Sequence, residues 1–252
     1  MIAIRNESEI AYLRRSAEIL VEAFRAVRGA IAPGVTTAEL DAIVEEAITR
    51  RGGRPAFKGY NGFPASICAS IDCEVVHGIP GPRRLQEGEI LSIDVGVEKN
   101  GFFSDAAMTY AVGAVSPEKA DLMKATQEAL HRGLAACKKG NYLGDISHAI
   151  QSHVEAQGYS VVRDLVGHGI GTALHEEPQI PNYGMPKRGP RLKNGMVFAI
   201  EPMVNLGSYS VRFLDDGWTV ESIDGSPSAH FEHTVVVRND ECEVLTLGIE
   251  EI

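Results

Sequence analysis

From residue 10 the apolar positions advance in steps of three and four: Ile10, Leu13, Ala17, Leu20, Phe24, Val27, Ile31. That spacing lays one apolar stripe along a helix. Ser8 offers a capping oxygen and Glu9 an acid for the first turn, so the helix is predicted to open at Ser8 and to stop at Pro33-Gly34. Thr36 and Glu39 have the spacing of a capping box, which predicts a second helix ending at Arg51-Gly52. Between residues 53 and 110 glycine, proline and short β-branched runs replace the helical period, and residues 89–98 and 101–112 read as the arms of a hairpin. Helical spacing returns at Ser116-Pro117-Glu118, with Met123, Leu130, Leu134 and Cys137 on the buried side and Gly140 at the end. Asp145 opens a fourth helix that runs to Gly158, and strands and glycine-rich turns complete the chain.

The order helix, helix, strands, hairpin thus occurs twice. Residues 85–97 (LQEGEILSIDVGV) align with residues 192–204 (LKNGMVFAIEPMV), pairing Leu85 with Leu192, Gly88 with Gly195, Asp94 with Glu201 and Val97 with Val204. The pattern predicts an α+β fold of two similar halves, about 8–112 and 116–238, inside a single domain spanning 1–252.

One feature of the hairpin needs explanation. Asp94 lies in the apolar, β-branched first arm, and Asp105 follows in the second. A two-residue type I′ turn at Asn100-Gly101 sets Lys99 opposite Phe102 and Asp105 opposite Gly96. Side chains alternate along a strand, so both aspartates then point to one face as diagonal neighbours, their β-carbons roughly 7 Å apart or less. Two ionised acids in a largely apolar sheet are unfavourable unless they share a proton, meet a base or hold cations.

Composition narrows the choice. The chain is 44% hydrophobic and 23% charged over 252 residues, an ordinary globular balance, and its net charge of −10 argues against a nucleic-acid or anionic-membrane face. Cys68, Cys73, Cys137 and Cys242 form no CxxC pair, which points away from a zinc ribbon and toward a reducing cytoplasm. The N-terminus has no secretory core, and no run is long enough to span a membrane.

Further candidate ligands sit in similar settings. Glu201 occupies the place matching Asp94, Glu232 opens a β-branched run (FEHTVVV), and His168 lies between glycines in VGHGIG. With Asp94 and Asp105 they make four oxygen ligands and one nitrogen ligand, too acidic a set for structural zinc and suited to two carboxylate-bridged divalent ions. Mn, Fe(II), Co and Zn all fit such ligands.

Here the sequence resembles type I methionine aminopeptidases. The stretches VVHGIP (75–80), IDVGVEKNGFFSD (93–105), GHGIG (167–171), LHEEPQI (174–180), AIEPMV (199–204) and FEHTVVV (231–237) carry the resemblance in order, over residues 3–249. The resemblance implies the pita-bread fold, two pseudo-symmetric halves with a dinuclear metal site between them. It implies that Asp94 holds one metal, that His168 and Glu201 hold the other, and that Asp105 and Glu232 bridge both. It further implies attack by a metal-bridging hydroxide, with Glu201 as general base. His175 would then bond the scissile carbonyl and His77 the amide of the next residue. Tyr60, Phe63, Cys68, Leu174 and Trp218 would wall the pocket for the substrate side chain. The implied activity is removal of the initiator methionine from nascent chains, favouring a small second residue. The expected setting is a cytoplasmic monomer at the ribosome, with no membrane or direct nucleic-acid contact.

Three positions depart from that pattern. Leu174 stands where many relatives carry an aromatic, His230 where many carry Gln, and Phe57 where some carry a smaller residue. His230 is left either beside the metals or facing outward. Two other readings keep the fold: an X-Pro aminopeptidase or dipeptidase, and a non-catalytic binding module. The first usually carries an extra N-terminal domain, for which a helix starting near Ser8 leaves no room; the second typically lacks metal ligands that this chain has.

Overall fold

The computed structural model describes residues 1–250. Four helices carry the outer layer: α1 (Glu7–Arg28), α2 (Thr37–Arg50), α3 (Pro117–Ala136) and α4 (Leu143–Ala156). Several of their ends differ from the sequence expectation, and α1 stops at Arg28, capped by Gly29, short of Pro33-Gly34. Asn6, not Ser8, caps α1: its Oδ1 accepts from the N–H groups of Ser8 and Glu9, and the Glu9 carboxylate accepts from Asn6 N–H. Asn is as good a cap as Ser, and Asn6 has Glu9 three residues on to complete the box. α3 stops at Ala136 rather than Gly140, where the Asn141 side-chain amide donates to the Ala136 carbonyl at 2.8 Å. α4 opens at Leu143, because Asp145 acts from inside the first turn, accepting from Tyr142 N–H at 2.7 Å.

The helices cover a nine-stranded antiparallel sheet. Its main path runs Arg54–Pro55, Ile90–Lys99, Phe102–Ala111, Glu232–Val237, Val197–Ile200, Gly167–Gly169, Glu176–Ile180. Ile67–Ile71 pairs with Ile90–Lys99, and Cys242–Val244 with Glu232–Val237. The hairpin register is the expected one, with Lys99 opposite Phe102 and Gly96 opposite Asp105. Asn100 and Gly101 have φ of +54° and +79°, the left-handed pair that a type I′ turn requires.

Alternation divides the sheet into two faces. Leu91, Ile93, Val95 and Val97 join Leu20, Phe24, Leu130, Ile150, Phe198 and Val235 in the main core. Ser92, Asp94 and Gly96 therefore point the other way. The two halves repeat the same small contacts. Gly34 N–H donates to Leu85 O at 2.7 Å and Gly140 N–H to Leu192 O at 3.0 Å, while Leu85 and Leu192 each donate back at 2.8 Å, to Val35 and Asn141. Gly34 and Gly140 both sit at φ +93°, a conformation open to glycine at little strain.

Candidate metal centre and pocket

On the face away from the main core, Asp94, Ala107 and Glu232 lie abreast on three adjacent strands, and Asp105 is two residues along from Ala107. The methyl group of Ala107 leaves space between the Asp94 and Glu232 carboxylates. Thr234 locks this edge: its hydroxyl donates to Asp105 O at 2.7 Å and accepts from Asp105 N–H at 2.9 Å. His168 enters from the Gly167–Gly169 strand, one strand further on across Val197–Ile200, where it lies opposite Ala199, with a register slip at Gly169. A β-carbon at Gly167 would stand 2.5 Å from Ala199 O, and one at Gly169 2.2 Å from Glu177 O. The two glycines thus let the His168 strand lie tight against its neighbours, as their flanking positions suggested. Glu201 follows the Val197–Ile200 strand and completes the group.

One oxygen or nitrogen from each of Asp105, His168 and Glu232 falls within 4.8 Å of the other two. Asp94 adjoins Asp105 at one end, and Glu201 Oε1 lies 3.5 Å from His168 Nε2 at the other. Asp94 and Glu201 stand outside this tightest group, Asp94 beside Asp105 and Glu201 beside His168. The His168 ring places Nδ1 2.9 Å from the Gly169 carbonyl, which assigns the proton to Nδ1 and leaves the Nε2 lone pair facing the acids.

Burial pushes Asp94 up to about 7, and burial reinforced by neighbouring acids holds Asp105, Glu201 and Glu232 well above the carboxylate range. His168 is pushed down to about 3, chiefly by burial and further by His175, so it stays neutral. Among the described residues, Asp94 Oδ1, Asp105 Oδ1 and Glu232 Oε1 are buried without any hydrogen-bond partner, and no Lys or Arg lines the cavity they face. Orphaned acid oxygens converging on one imidazole lone pair are the donor set that divalent cations require, and the residues fit such ions.

The cavity holds about 420 Å³, within the range of small-ligand sites. Every residue expected at the site lines it: the five acid and imidazole groups, His77, His175, and the pocket residues Tyr60, Phe63, Cys68, Leu174 and Trp218. Phe63, Cys68 and Leu174 are buried, and Trp218 packs edge-on to Phe63 at 5.0 Å. Tyr60 belongs to the mouth: it is 36% exposed and its hydroxyl is 2.8 Å from His175 Nδ1. The His175 and His168 rings are 4.3 Å apart. His77 has φ +60°, a strained state for a residue with a side chain, and its pKa falls to about 4, mainly through burial. The Cys68 thiol is pushed up by burial and then by Asp94, so it remains protonated and unreactive.

Sequence reasoning did not place Asn61, Val76, Asp164, Leu165, Val166 or Met203 on this cavity, and no local pattern marks them. Phe57 and His230, which stand out in the sequence only as departures from the family pattern, both line it. Phe57 fits because Gly96 has no side chain: a β-carbon there would lie 2.6 Å from Phe57 Cε1. Its aromatic ring lies in the same apolar cluster as Leu174.

The model of Metallopeptidase family M24 matches residues 11–239. The chain is 52% identical over 247 residues to a methionine aminopeptidase of Clostridium perfringens, covering 98% of this chain and 99% of that protein. The structure resembles that of methionine aminopeptidase from Thermotoga maritima with a TM-score of 0.96 and 44% identity, over 98% of this chain and 99% of that one. It also resembles the prolidase of Pyrococcus furiosus, with a TM-score of 0.79 and 25% identity, over 96% of this chain but 65% of the prolidase.

Proposed function

This chain belongs to metallopeptidase family M24, and from that premise we propose that it is a metal-dependent aminopeptidase that removes the initiator methionine from new polypeptides, favouring a small second residue. The observation that carries this reading is the junction of two surfaces in one cavity. A floor of four acids, Asp105 and Glu232 buried and Asp94 and Glu201 half-buried, and a neutral imidazole meets an apolar wall.

In this proposal Asp94, Asp105, His168, Glu201 and Glu232 would hold two divalent cations, with Asp105 and Glu232 contributing to both. When bound, such ions supply a lowered water pKa and compensation for negative charge developing on a carbonyl oxygen. Phe57, Phe63, Cys68, Leu174 and Trp218 take the methionine side chain and exclude water from it. That fixes the scissile carbonyl over the acid floor. Glu201 is the proton acceptor, since its carboxylate lies at the edge of the floor, 3.5 Å from His168 Nε2. His175 Nδ1 is engaged by Tyr60, which turns the other ring nitrogen toward a bound carbonyl. Neutral His77, held by a strained backbone, addresses the following amide.

The same proposal assigns the ions to Mn, Fe(II), Co or Zn, treats the two halves as an internal duplication within one domain, and sets a cytoplasmic monomer to work on chains leaving the ribosome. No helix among the described residues is long and apolar enough to cross a membrane. The test is turnover of Met-Ala-Ser against Ala-Pro-Ala after reconstitution with each metal, alongside Glu201→Gln. Methionine release by the wild type and its loss in the variant support the reading. Preference for Ala-Pro-Ala transfers the chain to the X-Pro peptidases. Absence of both metal binding and turnover leaves only a binding module.

A further inference from the structure

His230 ends the short Ser228–His230 strand, opposite Met203. One hydroxyl pins its backbone from both sides: His230 N–H donates to Thr109 Oγ1 at 2.9 Å, and the Thr109 hydroxyl donates to His230 O at 2.8 Å. Ser92 Oγ stands 2.8 Å from the same Thr109 oxygen and can supply its next hydrogen. The side chain, 2% exposed, lines the cavity beside Glu201, and its Nε2 is buried without a hydrogen-bond partner among the described residues. That nitrogen lies 3.8 Å from Glu201 Oε2, while Glu201 Oε1 lies 3.5 Å from His168 Nε2. Two imidazoles therefore bracket one carboxylate. His168 has its proton on Nδ1 against Gly169 O, so only His230 has an N–H to offer.

We propose that His230 is a positioning residue, which donates its Nε2–H to Glu201 Oε2 and so turns Oε1 toward His168 and the cation. The remaining gap is closed by rotation about the terminal torsion of Glu201, which is soft. A histidine retained only to fill space turns its ring to a structural partner, as His233 does with Nδ1 2.8 Å from Thr246 Oγ1. His230 has no such partner and faces a functional acid instead. The inference rests on the reading of Glu201 as a metal ligand. Outer partners of ligating groups fix ligand orientation, and their loss typically lowers metal affinity or activity about 10- to 100-fold.

The experiment compares wild type, His230→Gln and His230→Leu. Metal-free protein is titrated calorimetrically with Co(II), the visible spectrum of the Co(II) form is recorded, and kcat and KM are measured on Met-Ala-Ser. The Leu variant is expected to bind Co(II) about 10- to 100-fold more weakly, with an altered spectrum and a fall confined to kcat. The Gln variant, whose amide restores an N–H, is expected to recover most of the affinity. Melting of the metal-free proteins checks that each is folded; should the Leu variant not fold, His230→Met takes its place. Wild-type Co(II) affinity and spectrum in the Leu variant overturn the inference, as does a Gln variant no better than Leu. A wild type that binds no metal removes the proposed function first, and this inference with it.

Discussion

Gly96→Ala tests the cavity wall directly. Gly96 lies beside the cluster of acids, opposite Asp105 in the ladder. A β-carbon added there would meet Phe57 Cε1 at 2.6 Å, with Phe57 Cδ1 and the Ala56 methyl each at 3.0 Å. No strand residue changes conformation to relieve this, because the Gly96 backbone is that of an ordinary strand, so the Phe57 ring must move. Phe57 is only 8% exposed and is packed in the apolar cluster with Phe63 and Leu174, so it can retreat only into the cavity. Forcing an extra methyl into a packed region typically costs about 1–3 kcal/mol. For a chain of this size that lowers Tm by about 2–4 °C per kcal/mol. The displaced ring also narrows the pocket, so KM for Met-Ala-Ser rises. The decisive assay is a double-mutant cycle with Phe57→Ala, read by thermal melting and by KM. Truncating Phe57 alone destabilises the wall, but in that background Gly96→Ala is expected to be nearly neutral, with a coupling of at least about 1 kcal/mol. Equal losses from Gly96→Ala in both backgrounds would refute the reasoning, since the methyl would then be clashing with something other than Phe57.

Three further outcomes are expected. Because burial raises Asp94 to about 7, its protonated form favours the folded, metal-free protein, and that contribution is lost as pH rises through about 7. The Tm of metal-free protein should therefore climb between pH 8 and pH 5, and added Mn(II) or Co(II) should stabilise most at the alkaline end, where ions do not compete with protons; a flat metal-free profile contradicts this. Tyr60→Phe removes the hydroxyl 2.8 Å from His175 Nδ1 and should lower kcat roughly 2- to 10-fold with little change in Tm, checked by steady-state kinetics and melting. Glu176 accepts two hydrogen bonds from Arg5, at 2.5 and 2.6 Å, and others from the Thr172 and Ala173 N–H groups, which sets the loop carrying Leu174 and His175. Glu176→Gln should lower stability by about 1–3 kcal/mol in denaturant unfolding and raise KM, since the Arg5 guanidinium loses its charged partner.

The sequence by itself determined what depends on neighbours in the chain. The three-and-four spacing defined the helices, the Thr36–Glu39 box opened α2, and Asn100-Gly101 set the hairpin register that turns Asp94 and Asp105 to one face. It also located Glu201, because a repeated strand pattern carries its acid to a matching position. Errors were confined to helix ends, where Asn6 and Asn141 supplied caps that several nearby polar residues could equally have supplied. Only the tertiary structure decided which distant side chains share a space. Glu232 reaches Asp94 because both strands flank Phe102–Ala111, Phe57 becomes a wall because Gly96 leaves room, and His230 turns inward because Thr109 holds its backbone. Turn type and side-chain parity are properties of a few consecutive residues, whereas the meeting of residues 57, 94 and 230 depends on how packed layers close over one another, which no local pattern encodes.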